Sequence, residues 1–413
     1  MAKLWISEFI KHSPADLFAP LIDMDLIQLI PDIIDRPQIR IDASVLVLYY
    51  CVLYYGSSVK DGRPGYTPDW SNKLYLCCQR ALPGWQREAV GSQADFMAAI
   101  WMMRTAVEKF DTELAWQMHC CACTYAQELR LHQVDGAHYI AGAAIRDGDR
   151  KGFWELVQVD LYFRLVHGKP ATLTASMDSW KVNLPWLSGG MERRENTNVT
   201  IQFLMSSRIT FSIIEFFHLL DGADSETELE RLMDKVEQIC MQVENTSTEW
   251  NLEDWMKKVS HDVVLLWLFS DTALTGYCCI IFMLRRAAAK TQNLDDLEAT
   301  DAIVGRRPLV LRVSRRMLTT AHIILRAIYR MDSLSMVMDV FRLDLPFTYL
   351  ASHLMHGQPD TASAEQDVAL LCSITEDIKA ISRDAEGIRP LLFAMQRMNM
   401  EIDAARRDAT FGT

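Results

Sequence analysis

The sequence predicts an all-α protein built as a large multi-helix bundle, and three observations support this. Half of the 413 residues are hydrophobic and 23% are charged, a composition typical of a globular chain with a sizeable core. Helix-breaking residues are few, at 13 prolines and 18 glycines, whereas strong helix formers are common. Apolar residues recur at helical spacing in several windows, and no window shows the alternation of a half-buried strand.

Individual helices are predicted from apolar stripes and from the residues that cap them. Residues 45–55 are apolar on all sides, which indicates a helix buried within the bundle. Ser92 precedes a stripe of apolar residues over 96–107, which indicates a helix. Asp111 is expected to cap the next helix, over 114–131.

The rest of the chain carries similar signals. Ser225 and Glu228 fit a capping box that opens a helix. The apolar stretch 263–284 is interpreted as two core helices joined near Asp271, because a central Asp costs about 2.5–3.5 kcal/mol on membrane insertion. Further helices are expected over 205–220, 307–330, 334–355, 364–383 and 386–408. Loops are expected over 61–65, 183–198, 244–251, 291–306 and 357–363.

Charge and cysteine content indicate the compartment and argue against one class of partner. The net charge is −12, whereas proteins that bind duplex DNA depend on Lys and Arg to neutralise phosphates, so no direct DNA binding is expected. The ten cysteines lie mostly in apolar runs, and Lys3 and Glu8 interrupt the start of the chain, unlike a secretory signal. We therefore expect free thiols, no membrane span and an intracellular location, cytoplasmic or nuclear.

One run of residues carries a family resemblance. It reads Arg150-Lys151-Gly152-Phe153-Trp154, then Asp160 and Arg164, then Gly168-Lys169-Pro170. This run resembles the signature helix in the middle homology region of fungal zinc-cluster transcription factors. Asp160 stands six residues after Trp154 and Gly168 stands eight after Asp160, as in that family, with Lys169 where Arg is usual. The resemblance implies an all-α bundle of the fungal transcription factor middle-region type.

The segments on either side resemble the same family. The preceding helix ends in a Leu-Arg-Leu-His run that places Arg130 where the family has glycine, and 180–185 resembles a family segment that ends in Leu-Pro. The resemblance is best over 96–187. None of the expected loops looks like a long linker, so the chain is interpreted as one domain over 1–413, with a possible weakly separate bundle over 300–413.

Physical chemistry gives the signature helix a structural role first. Asp160 and Arg164 are one helical turn apart and are expected to pair. Gly168 suits the left-handed residue that ends a helix, and Pro170 prevents continuation. The signature is therefore interpreted as scaffold rather than as a site.

The family's DNA-binding module is missing from this sequence. That module needs six cysteines that bind two zinc ions, whereas the first 76 residues contain only Cys51. Cys120 and Cys123 form a C-x-x-C pair inside a predicted helix, with no second pair nearby. These thiols are therefore interpreted as packing residues, and no metal site is expected.

Other cofactor chemistry finds no support in the sequence. It contains no P-loop, dinucleotide fingerprint, zincin motif or nucleophile elbow. Acidic segments at 293–299 and 332–339 approach the metal motifs of terpene synthases, but each lacks a required ligand. One basic cluster comprises Arg306, Arg307, Arg312, Arg315 and Arg316, interpreted as a solvated helix face. No cofactor is therefore expected.

An apolar pocket is the remaining candidate site. The 11 tryptophans and 21 methionines mostly fill core by default, yet such residues also line pockets for small molecules. The predicted substrate-binding walls are Trp101, Trp116, Trp267 and Tyr277. The predicted catalytic hydrogen-bond donors are His119, His138, Tyr162 and Lys169.

Two functions of different classes are compatible with these features. The favoured hypothesis is a repurposed ligand pocket of fungal secondary metabolism that binds a hydrophobic metabolite and catalyses a cofactor-free cyclisation. An intramolecular Diels–Alder reaction on a terpenoid or polyketide would need a near-attack conformer and a donor that polarises a carbonyl. The alternative is a transcriptional regulator that senses a ligand or sequesters a partner factor, with an exposed apolar face for a possible homodimer.

Overall fold

The computed structural model confirms the all-α class. It describes residues 1–12, 23–58, 69–136, 143–184, 197–259, 262–294, 298–328, 342–357, 361–382 and 388–411. Regular structure in these ranges is helical, and none of them contains a strand. Contacts divide the described residues into two compact units, Met1–Thr197 and Asn198 onward. The boundary therefore falls near residue 197, and the single domain over 1–413 stays a prediction.

The first unit is centred on two helices that contact most of the others. Its helices are α1 Ala2–His12, α2 Met24–Ile33, α3 Ala43–Ser58, α4 Asp69–Glu88, α5 Gln93–Glu108, α6 Thr112–Glu128 and α7 Ala143–His167. Helix α3 packs against α1, α4 and α5, while α5 also packs against α6. Helix α3 is the predicted apolar helix, and its side chains are largely buried, as expected for a helix that is apolar on all sides.

The predicted cap at Asp111 is confirmed, and the structure adds a capping box formed by Ser92 and Asp95. The Ser92 hydroxyl accepts from the Asp95 amide at 3.2 Å, and the Asp95 carboxylate accepts from the Ser92 amide at 2.9 Å. The indole of Trp85 also donates to Asp95, at 2.6 Å, which fixes the end of α4 to the start of α5. Asp111 accepts from the Leu114 amide at 3.1 Å and so begins α6.

The second unit is centred on one long apolar helix. Its helices are α8 Thr197–Gly222, α9 Glu226–Glu249, α10 Leu252–Lys258, α11 Val263–Gln292, α12 Asp301–Val304, α13 Pro308–Ile328, α14 Asp344–His356, α15 Thr361–Ser382 and α16 Arg389–Phe411. Helix α11 packs against α9, α10 and α13, and α13 packs against α14 and α15. The capping box of Ser225 and Glu228 that opens α9 is confirmed.

The expected junction near Asp271 is wrong, because α11 continues through it. The Asp271 carboxylate accepts from Arg342 at 2.8 Å, so its charge is compensated without a break in the helix. The hydroxyl of Thr272 donates to the carbonyl of Leu268 at 2.9 Å, one turn back along the same helix. A polar side chain that is satisfied in this way leaves the helical backbone intact.

Two helical segments are long and apolar enough to cross a membrane, Ile201–Gly222 and Leu265–Gln292. In the second, 67% of the apolar window is buried inside the protein. The core helix of a soluble protein passes the same test of length and composition, so these segments are weak grounds for a membrane span.

The loop expected over 244–251 is also wrong for most of its length, because α9 continues to Glu249. Glu244 lies on that extension and accepts from Arg312 at 2.8 and 2.7 Å and from Arg316 at 3.2 Å. These bonds tie α9 to α13 and stabilise the last turns of α9.

The predicted basic cluster therefore links helices. In addition to the bonds to Glu244, Arg307 pairs with Glu237 at 2.9 Å and Arg315 pairs with Asp367 at 2.8 Å. Arg306 and Arg312 are exposed, as the interpretation as a solvated face requires, whereas Arg307, Arg315 and Arg316 are half-buried. The loop predicted at 61–65 lies outside the described residues.

Candidate functional site

The signature helix of the sequence is α7, and its end has the predicted geometry. Gly168 has a φ of 65°, the left-handed conformation expected of the residue that ends a helix. Arg130 also has a left-handed φ, of 57°, at the position where the family run has glycine. Phe153 and Trp154 are buried, and the indole of Trp154 donates to the carbonyl of Asn183 at 3.2 Å.

Asp160 lies at the centre of a buried polar cluster. Its side chain and that of His119 are 0% exposed, and His119 Nε2 lies 3.0 Å from Asp160 Oδ1. The amide and hydroxyl of Thr172 also donate to Oδ1, while those of Thr174 donate to Oδ2 at 2.9 and 2.7 Å. The predicted Asp160–Arg164 pair is wrong, because donors from α6 and from residues 172–174 occupy both oxygens of Asp160.

These hydrogen bonds decide the charge of Asp160. Burial alone would raise its pKa, but the bonds from His119, Thr172 and Thr174 outweigh burial and lower the pKa to about 2. Asp160 is therefore a carboxylate at neutral pH, and it joins α6, α7 and the segment after α7. We call His119, Cys123, Asp160, Thr172 and Thr174 the Asp160 cluster.

Several of the predicted site residues surround this cluster. The His119 ring lies 5.6 Å from the Trp116 ring and 5.3 Å from the Phe163 ring. Tyr162 contacts Phe163 at 6.5 Å, and the Lys169 ammonium lies 5.8 Å from the Trp116 ring. The structure therefore brings together His119, Trp116, Tyr162 and Lys169. Because His119 is fully buried and already bonded, we assign the cluster to the scaffold.

The other predicted site residues lie elsewhere. His138 lies outside the described residues. Trp101 is on α5, in a different cluster of the first unit. Trp267 and Tyr277 are on α11, in the second unit, where Tyr277 lines a small cavity with polar walls.

The Asp160 cluster also has the residue types of a metal site. Ligand atoms of His119, Cys123 and Asp160 all lie within 4.8 Å of one another, and zinc accepts such ligands. Both oxygens of Asp160 are, however, already engaged by donors of the protein. Burial raises the pKa of the Cys123 thiol, which favours the protonated form that does not ligate metals. The donor set therefore does not fit a resident zinc ion.

We expect the purified protein to contain less than one zinc per chain after dialysis against buffer, because zinc would have to displace the hydrogen bonds on Asp160. Metal analysis by inductively coupled plasma mass spectrometry checks this. One zinc per chain in the wild type that disappears in Cys123→Ala would contradict it.

A second buried cluster in the first unit was not predicted from the sequence. Trp101, Arg104 and Glu108 lie on one face of α5, at helical spacing. The Trp101 ring meets the Tyr55 ring at 5.2 Å and the Phe9 ring at 5.3 Å, edge to face in both cases. We call these five residues the Glu108 cluster.

The carboxyl group of Glu108 is the unusual member of this cluster. Burial raises its pKa to about 8, although a hydrogen bond with Tyr55 and the charge of Arg104 act in the opposite direction. Glu108 is therefore largely protonated at neutral pH and can donate a hydrogen bond. Arg104 pairs with Glu155, and its guanidinium lies 5.1 Å from the Trp101 ring.

Two polar atoms of the Glu108 cluster have unused hydrogen-bonding capacity. Oε2 of Glu108 and Nε1 of Trp101 are buried and have no hydrogen-bond partner within the part of the chain that the structure describes. A buried polar atom without a partner costs free energy, and such atoms are rare in proteins. A ligand that accepts hydrogen bonds would satisfy both atoms.

A sequence signal for Glu108 did exist. Glu108 follows Trp101 by seven residues and so shares a face with it, on a helix whose other side chains are nearly all apolar. Its position beside Lys109, at the end of the helix, instead suggests a solvated residue. The difference is made by the packing of α3 against α5 and by the contact of Phe9 of α1 with Trp101.

Comparisons with protein-family models, with curated proteins and with solved structures give no match for this chain. The class of protein that the structure defines is thus an all-α protein with a buried carboxylic acid among aromatic rings. The resemblance to the fungal transcription factor middle region stays a prediction.

Proposed function

We propose that this protein binds a hydrophobic, carbonyl-bearing small molecule at the Glu108 cluster and catalyses its cofactor-free cyclisation. The type of cyclisation that best suits such a site is an intramolecular Diels–Alder reaction. The observation that carries the proposal is a carboxyl oxygen and an indole N–H without partners on the same face of α5, beside edge-to-face aromatic rings.

The chemistry needs only a donor and a shaped surface. In an intramolecular Diels–Alder reaction, diene and alkene close a ring through two new carbon–carbon bonds at the expense of two π bonds, with no co-reactant. A hydrogen bond from protonated Glu108 to a carbonyl on the alkene withdraws electron density and lowers the barrier. The proton stays on Glu108, as with other buried carboxylic acids that stabilise an oxyanion.

The rings of the cluster supply the shaped surface. Tyr55 and Trp101 offer flat apolar walls against which a polyene chain can fold into its near-attack conformer. Phe9 of α1 lies over Trp101, so the ligand takes the place of the Phe9 ring. Because Ile6 and Phe9 of α1 are buried, displacement of the Phe9 ring costs free energy that ligand binding must offset.

The test is the cyclisation of a decatrienone that carries a diene and an enone in one chain, followed by chromatography with chelator present. We expect the wild type to accelerate ring closure, with a rate that falls above about pH 8 as Glu108 ionises. Glu108→Leu is expected to lose about 10–10³-fold in rate, because removal of a preorganised donor costs up to that much.

Glu108→Gln is the matched variant, because its amide still donates but does not titrate. It is expected to keep part of the activity and to lose the dependence on alkaline pH. Equal rates for wild type, Glu108→Leu and the uncatalysed reaction would contradict the proposal.

A ligand-sensing regulator is the second candidate function. Phe393 and Met400 lie two turns apart on α16 and are 65% and 71% exposed, and such a face suits a homodimer contact. Binding of the decatrienone without turnover, together with dimers in sedimentation experiments, would favour this function.

A further inference from the structure

A cavity of about 110 Å³ opens in the second unit between α9, α10, α11 and α13. Its walls are Ser247, Thr248, Asn251, Glu253, Tyr277 and Arg316. An apolar cavity of about 150 Å³ is known to hold benzene, so this one has room for about four to six non-hydrogen atoms. The walls are polar, which indicates a small polar ligand.

Arg316 is the cationic group of this cavity and is not saturated. One of its N–H groups donates to Glu244 at 3.2 Å, while both oxygens of Glu244 are held by Arg312 at 2.8 and 2.7 Å. A guanidinium has five N–H donors in a planar fork. Arg316 therefore keeps donors for a carboxylate that enters the cavity.

Glu253 is the anionic group, at the exposed rim of the cavity. Burial raises the pKa of the Tyr277 hydroxyl, the charge of Arg316 lowers it and the charge of Glu253 raises it. A hydrogen bond with Ser247 also lowers it. The cation and the anion therefore lie close to the same buried hydroxyl. Asn251 has a left-handed φ of 52°, which turns the chain sharply from α9 into α10 at the mouth of the cavity.

We propose that this cavity binds a small zwitterion, namely an α-amino acid with a side chain no larger than that of alanine. The carboxylate pairs with Arg316, the ammonium pairs with Glu253, and the hydroxyls of Ser247 and Tyr277 orient the ligand. A ligand with only a negative charge would lie beside the like charge of Glu253, and one with only a positive charge would lie beside the like charge of Arg316. Neither therefore fits as well as a zwitterion. The site is separate from the Glu108 cluster and does not depend on the proposed function.

The test is calorimetric titration of the intact protein with glycine, acetate and methylammonium. We expect glycine to bind in the millimolar range and to bind at least about tenfold more tightly than either single-charge probe, because it makes both charge-assisted contacts. Arg316→Gln and Glu253→Gln are each expected to weaken glycine binding by about tenfold or more.

Matched controls are Arg306→Gln and Glu365→Gln, exposed residues of the same types elsewhere in the unit. Both are expected to bind glycine like the wild type. Tyr277→Phe keeps the ring and removes the hydroxyl, and it is expected to weaken binding without unfolding the protein. No binding of glycine at millimolar concentration, or equal binding of glycine and acetate, would overturn the proposal.

Discussion

Glu108→Gln is expected to become progressively more stable than the wild type as the pH rises from about 5 to 8. The pKa of Glu108 is raised to about 8 in the folded protein, above its ordinary value of 4.5. The folded state therefore holds a proton that the unfolded chain releases, and this contribution to stability is lost as the pH rises through the folded pKa. Between about pH 5 and 8, the free energy of unfolding of the wild type is expected to fall by about 4 kcal/mol, because each pKa unit corresponds to about 1.4 kcal/mol.

Urea unfolding followed by tryptophan fluorescence, at a series of pH values, measures this difference. Glu128→Gln is the matched control, because Glu128 is the last residue of α6 as Glu108 is the last of α5, but it is exposed. The control is expected to follow the wild type. If Glu108→Gln and the wild type keep parallel stabilities from acidic to alkaline pH, the carboxyl is ionised in the folded protein and cannot be the donor of the proposed reaction.

Asp160→Ala is expected to lower the free energy of unfolding by about 3–5 kcal/mol, because it leaves buried donors without their acceptor. The affected donors are His119 and the amides and hydroxyls of Thr172 and Thr174. Asp160→Asn keeps the shape and one acceptor oxygen, so a smaller loss of about 1–3 kcal/mol is expected. The urea midpoint at neutral pH measures both.

Two further measurements distinguish the loss of the Asp160 hydrogen bonds from a general loss of packing. The folded pKa of Asp160 is depressed to about 2, so its contribution is present above the unfolded pKa and is lost as the pH falls through about 2. The difference between wild type and Asp160→Asn should therefore shrink in acid. Arg164→Ala is the positional control, one turn away, and leaves the hydrogen bonds on Asp160 in place. If Asp160→Ala keeps the urea midpoint of the wild type but loses activity, Asp160 belongs to a functional site and not to the scaffold.

Burial raises the pKa of both carboxyl groups, but their hydrogen bonds leave them in opposite charge states. Asp160 accepts bonds from α6 and from the segment after α7, and these bonds hold it ionised. At Glu108, burial outweighs the hydrogen bonds with Tyr55 and Tyr54 and the charge of Arg104, and the carboxyl is held protonated. Environments that push two carboxyls apart in pKa are typical of proteins that divide structural and chemical roles among the same residue type.

The sequence by itself determined the helical class of this protein and the ends of several of its helices. An apolar stripe predicted α5, and local caps at Asp111 and Ser225 predicted where α6 and α9 begin, because a cap is formed within one turn of chain. Gly168 similarly marked the end of α7. These signals are local, so no knowledge of packing was needed.

Only the tertiary structure decided which polar groups meet. The sequence offered Arg164 as the partner of Asp160 because the two are one turn apart, but His119 and two threonines distant in sequence occupy its oxygens. It placed Glu108 on one face with Trp101 but could not distinguish it from a solvated residue at a helix end, because its environment includes rings from α1 and α3. Hydrogen bonds and desolvation act between residues far apart in the chain, and periodicity within one helix contains no information about them.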